Sequence, residues 1–178
     1  MKTSVYIATS LDGYIARSDG ELDWLPANGS AEDGEDYGYQ AFMDTVDILV
    51  MGRCTYEQVL TFDDWPYGET PVVVLSRQAL QIPEHLAGHV EVMACPPVEL
   101  VERLAERGAK HLYIDGGQTI QGFLRAGLIQ QLIITRVPIL IGAGVALFGS
   151  LEQDIRWRHL GTRTFANGLV QSRYRRLG

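Results

Sequence analysis

The stretch Asp47-Ile48-Leu49-Val50-Met51-Gly52-Arg53-Cys54-Thr55-Tyr56-Glu57 decides how the chain is read. Ile48 to Met51 is an unbroken apolar run of strand length, and the residues after Gly52 turn into a helical pattern. An apolar strand with no polar alternation is buried on both faces, which is the habit of a mostly parallel sheet covered by helices on either side.

Outward from that stretch the same alternation repeats. Pro71 to Leu75 reads as a strand ending at Ser76-Arg77, and His89 to Met93 as another. Val98 to Arg107 places Leu100, Val101, Leu104 and Ala105 on one helical face and closes at Gly108. His111 to Ile114 is a further strand, followed by a helix from Gln118 to Ala126 that ends at Gly127. Upstream, Val5 to Ala8 is a strand ending in the polar turn Thr9-Ser10-Leu11-Asp12-Gly13. Asp19 to Gly34 is a long Gly-, Asp-, Asn- and Pro-bearing loop that could serve as a lid, and Glu35 to Thr45 a short helix with Tyr39, Phe42 and Met43 on its buried side.

The last third changes character. Leu132 to Ile141 reads as a long apolar strand broken at Pro138. Ile155 to Leu160 and Leu169 to Arg175 alternate polar and apolar residues around the hairpin dipeptide Asn167-Gly168, so they predict antiparallel strands with one wet face. The expected fold is one α/β domain over residues 1–178, with a mixed sheet that is parallel first and antiparallel at its end.

Composition narrows the function. The 178 residues carry a formal net charge of −7, and from Ser18 to Glu102 there are 17 acidic side chains but only two basic ones, Arg53 and Arg77. Such a surface disfavours nucleic acid. Two cysteines, no leader-like start and no apolar run long enough to span a bilayer point to a reduced, cytoplasmic setting away from membranes. The four histidines, at 85, 89, 111 and 159, have no metal-ligand spacing, so no metal is expected.

Two strand-to-helix junctions suit an anion. At Gly52-Arg53-Cys54-Thr55 and at Gly116-Gly117-Gln118-Thr119, backbone N–H groups of a starting helix, permissive glycines and a threonine hydroxyl come together. A dinucleotide with a central pyrophosphate would use both. Arg53 opens one helix and Arg77 sits beyond a strand end beside Ser76, where open α/β sheets bind ligands. Isolated in so acidic a stretch, they are placed to bracket a phosphate monoester, which implies NADPH. The G-x-G-x-x-G fingerprint of standard dinucleotide folds is absent.

In order along the chain, Ile7-Ala8-Thr9-Ser10-Leu11-Asp12-Gly13-Tyr14-Ile15-Ala16, the stretch from Asp47 to Glu57, Val74-Leu75-Ser76-Arg77, Ile114-Asp115-Gly116-Gly117 and Pro138 to Phe148 resemble the dihydrofolate reductase superfamily. They resemble most the reductase domain of the riboflavin-pathway bifunctional deaminase-reductase and its stand-alone relatives. The resemblance implies a central sheet of about eight strands and an NADPH-dependent reductase similar to 5-amino-6-(5-phosphoribosylamino)uracil reductase. A pterin reductase, or an NADPH-binding protein without turnover, are the alternatives. It also implies a homodimer.

By position, Ala8 and Ile15 would lie against the nicotinamide. Gly52, Arg53 and Thr55 would face the pyrophosphate and 2′-phosphate, Ser76 and Arg77 the adenosine phosphate, and Gly116, Gly117, Gln118 and Thr119 the pyrophosphate. The superfamily's acidic residue maps to Asp36, with Asp33 and Glu35 close by, and Asp12 in the first turn is a second candidate for the catalytic acid. An Asx turn would equally account for Asp12, and a helix-start acid for Asp36. Tyr14, Trp24, Phe42 and Trp65 are candidate walls for a flat ring. Two departures stand out: Tyr6 occupies a position where riboflavin-pathway reductases usually carry lysine, and no base lies near the acidic helix to hold a ribose phosphate.

Overall fold

A computed structural model describes residues 1–26 and 34–178. In chain order these form β1 (Lys2–Thr9), β2 (Tyr14–Ala16), α1 (Tyr39–Met43), β3 (Ile48–Gly52), α2 (Arg53–Val59), β4 (Val72–Leu75), β5 (Val90–Met93), α3 (Pro97–Glu106), β6 (His111–Asp115) and α4 (Gly117–Arg125). After them come β7 (Gln131–Arg136), β8 (Val145–Ala146), β9 (Trp157–Thr164) and β10 (Val170–Arg176). Eight strands build one sheet in the order β5-β4-β3-β6-β1-β7-β10-β9, and β2 pairs with β8 in a small separate ribbon. The first six strands of that order run parallel, and β10 lies antiparallel to both its neighbours. This is the dihydrofolate reductase-like mixed α/β sheet expected from the sequence.

The apolar runs explain the layering. Because side chains alternate across a strand, Val50, Val73, Leu112 and Ile114 reach one face and Leu49, Met51, Val72, Val74 and Tyr113 the other. The first face is covered by Leu100 and Leu104 of α3 and by Ile120 and Phe123 of α4, the second by Phe42 of α1 and Tyr56 of α2. β3 continues to β4 on one side, whereas β6 returns to its other side, so α2 and α4 start at adjacent strand ends. That reversal opens the crevice in which open α/β sheets bind ligands.

Three expectations are corrected. The strand expected to run to Ile141 stops at Arg136, because Pro138 has no N–H for the ladder and the chain turns there, with Ile139 N–H donating to Val137 O. The helix expected from Glu35 contracts to Tyr39–Met43, since the Asp36 carboxylate accepts from the N–H groups of Gly38 and Gln40 and forms the turn that precedes it. β9 is wet on both faces rather than one, with only Trp157 and Gly161 half-buried. Of the expected lid, residues 27–33 lie outside the described residues, and so does Asp33.

Candidate active site

The β3–α2 and β6–α4 junctions are pressed against one another. Gly116 is held at φ 87°, a conformation that favours glycine, and a Cβ there would collide with Thr55 Oγ1. A Cβ on Gly52 would lie 2.9 Å from Thr119 Oγ1. Each junction therefore offers a glycine to the other's threonine, and two helix starts with two hydroxyls converge on one point. This is a cradle for a pyrophosphate, and it would be filled by side chains at either glycine.

Around the cradle, a cavity of about 880 Å³ lies along the carboxyl ends of β1, β3, β4 and β6. Ala8, Ile15, Gly52, Arg53, Thr55, Ser76, Arg77, Gly116, Gly117, Gln118 and Thr119 all line it. The cavity is of a size that a dinucleotide and a small ring need together. Arg53, the first residue of α2, donates to both carboxylate oxygens of Glu57 at 2.9 and 3.0 Å, which pushes its already high pKa further up. Arg77 has no ion-pair partner among the described residues. Beside it Ser76 Oγ bonds the main chain of Gln78. Beyond Arg77 a second hollow of about 420 Å³ continues between the ends of β4 and β5, over Met93 and Cys95. These residues fit a phosphorylated dinucleotide: a main-chain cradle in the middle and two cations toward one end.

Neither carboxylate proposed as catalytic lines this cavity. Asp12 accepts from Ser10 Oγ at 2.5 Å and from the N–H groups of Ile141 and Gly142, and the Ser10 hydroxyl above all holds its pKa down. Asp36 is held down by its bonds to Gln40 and Gly38 N–H. Glu35 accepts from Tyr37 N–H and from Arg163. All three carboxylates are engaged by other groups, Asp36 by its own turn, and Asp12 and Glu35 also by donors far along the chain.

The acid that does face the cavity is Asp115, the last residue of β6. Burial pushes its carboxyl up to about 6, against a single opposing bond from Gly116 N–H at 2.8 Å. Burial first and then the Asp115 charge raise the phenols of Tyr39, Tyr67 and Tyr113. Its signal in the sequence was a charge closing an otherwise apolar strand, directly before Gly116-Gly117. Other lining residues that the sequence did not single out include Leu22, Leu25, Gln58, Val59, Phe62 and Tyr67. None of the four aromatics expected to hold a ring lines the cavity: Trp24 and Phe42 are buried in the core, while Tyr14 and Trp65 are half-buried elsewhere.

Residues 2–171 match the RibD C-terminal domain. The chain belongs to that family. It is 33% identical over 175 residues to the uncharacterized Bacillus subtilis protein YwjB, covering 97% of each chain. A Shewanella sp. PV-4 crystal structure, of a protein named for riboflavin biosynthesis, is 44% identical over the whole of both chains, with a TM-score of 0.93. The dihydrofolate reductase of Enterococcus faecalis, complexed with NADP(H), shares the fold at 18% identity and a TM-score of 0.70, covering 99% of this chain and 97% of that one. Membership places the chain among reductase domains of the riboflavin-biosynthesis type.

Proposed function

We propose that the protein is an NADPH-dependent reductase that delivers hydride to a C=N or C=O carbon of a pyrimidine- or pterin-type ring. One observation carries this reading: a single cavity holds a pyrophosphate cradle with two cations toward one end and, on its wall, one acid whose pKa is raised into the working range. When bound, the cofactor supplies the hydride.

The chain's own residues do the rest. Gly52, Gly116 and the Thr55 and Thr119 hydroxyls would hold the pyrophosphate, and Arg53 and Arg77, with Ser76, the 2′-phosphate end. Ala8 and Ile15 form an apolar wall that excludes water from a nicotinamide. Asp115 would donate the proton that balances hydride addition, at the ring heteroatom next to the reduced carbon. Its raised pKa leaves an appreciable protonated fraction near neutrality, where an ordinary aspartate has almost none. Arg53 would exchange Glu57 for phosphate as the cofactor binds.

The test is NADPH oxidation by the purified protein against a panel of pterins and aminopyrimidines, with cofactor affinity measured on the same samples. Turnover on a member of either class supports the reading. Tight NADPH binding without turnover on any would make the protein a binding module. A homodimer belongs to the same proposal, and light scattering in solution measures it.

A further inference from the structure

The cavity's charge is confined to one end, and this bears on the substrate. α2 is seven residues long, so its ends are about 10 Å apart. Arg53 stands at its first residue, whereas Val59 at its last and Phe62 just beyond form an apolar wall with Leu22, Leu25 and Tyr67. Among the described residues, Arg53 and Arg77 are the only bases lining the cavity. No other lysine or arginine occurs between Ser18 and Glu102, a span that includes residues 27–33.

Arg17, next to the lining residue Ala16, bonds both oxygens of Asp23, and on the edge strand Arg163 bonds Glu35 while stacking over Phe165. The apolar end is also rimmed by acid. Asp19 and Glu21 flank Gly20, Asp23 follows Leu22, and Asp63 and Asp64 follow Phe62, all of them exposed. The carboxyl offered to a ring here, among the described residues, is that of Asp115, which accepts from a ring N–H when charged and donates when protonated.

Building on the reductase reading above, we infer that the substrate is an unphosphorylated ring, neutral or cationic, whose N–H or heteroatom meets Asp115. With both arginines committed to the cofactor, a sugar phosphate on the substrate would meet no cation on the apolar wall and would pass four carboxylates, those of Asp19, Glu21, Asp63 and Asp64, beside the neutralised Arg17–Asp23 pair. A phosphate ester carries close to two negative charges at neutral pH. The acidic rim repels it, and salt screens that repulsion.

A matched pair tests this: 5-amino-6-(ribosylamino)uracil and its 5′-phosphate, titrated into the NADPH-loaded protein and followed by fluorescence. The unphosphorylated member should bind at least about tenfold more tightly, with the gap narrowing as salt is raised. Equal binding, tighter binding of the 5′-phosphate, or binding of neither member overturns the inference. In the Phe62→Lys variant, which places a cation on the apolar wall at an exposed position, the 5′-phosphate should gain about tenfold, and an unchanged affinity overturns the placement. NADPH binding, recorded in the same titrations, separates the two readings. Its loss would sink the reductase proposal, and its retention with an inverted ring preference would sink this one alone.

Discussion

β6 carries a titratable side chain at each end, His111 buried and Asp115 half-buried, and the two are treated differently. At its amino end His111 is 5% exposed and fully partnered: Nδ1 donates to Thr45 O at 2.8 Å and Nε2 accepts from Ser4 Oγ at 2.8 Å. The N–H groups of Lys110 and His111 reach the Asp47 carboxylate at 2.7 and 2.8 Å. At its carboxyl end Asp115 has one bond, from its neighbour's N–H, and the rest of its carboxyl faces the cavity. Desolvation moves both groups toward neutrality, lowering His111 and raising Asp115 to about 6. A buried polar group with every partner in place stabilises a fold, whereas one left with spare capacity in a cleft is available for chemistry. At the amino end of β6 the partners are complete, and at its carboxyl end hydrogen-bonding capacity is left over beside the cavity.

That contrast can be broken by experiment. The largest effect belongs to Asp115→Asn, which should lower kcat by about a hundredfold or more, the usual worth of a general acid, while NADPH affinity stays within about twofold. The wild-type rate should fall as pH rises above about 6, where the donor is lost, and the variant's profile should be flat through that range. A variant that keeps its rate would remove Asp115 from the chemistry.

Next come the cations. Arg53→Ala and Arg77→Ala should each weaken NADPH by about 10- to 100-fold, as expected for a charged hydrogen bond of ~1.5–3 kcal/mol, and leave NADH unchanged. Calorimetric titration with both cofactors measures the difference. Equal losses for the two would show that neither arginine meets the 2′-phosphate.

At the other end of the sheet the outcome reverses. Ser4→Ala leaves His111 Nε2 buried without a donor and should cost about 1–3 kcal/mol of stability, with kcat and KM unchanged. Urea unfolding read beside steady-state kinetics shows both.

The smallest effect is on pH-dependent stability, where the two ends have opposite signs. His111 has a folded pKa below 6.5, so its contribution is present above pH 6.5 and is lost as pH falls below that value toward the folded one. Asp115 has a folded pKa of about 6 against an unfolded value near 3.8, so its contribution is present below pH 3.8 and is lost as pH rises from there through 6. Urea midpoints across pH 4 to 7 should show Asp115→Asn removing the second trend and keeping the first.

Much of this was legible in the residues. The apolar runs located six parallel strands because burial on both faces leaves an unmistakable composition. The glycine–threonine pairs marked the middle of the cavity, and the two lone arginines one end of it. Asp115 carries no such mark, since no sequence pattern distinguishes a solvated aspartate at a turn from a desolvated one. Asp12 and Asp36 drew attention for the opposite reason: they sit where the superfamily's acids fall, and nearby donors within this fold satisfy them. β2 and β8 are too short to show a period, and each exists as a strand only because the other lies beside it.

The sequence by itself determined the strands of the main sheet and the longer helices, the parallel-then-antiparallel order, and the acidic half in which two cations stand alone. These follow from local periodicity and from composition, which need no knowledge of what lies across the sheet. Only the tertiary structure decided that Gly52 meets Thr119 and Gly116 meets Thr55, that the cations share one end of a cavity, and that Asp115 rather than Asp36 faces it. Contacts between strands far apart in the chain, and the loss of water around a single carboxyl, are properties of the packed molecule.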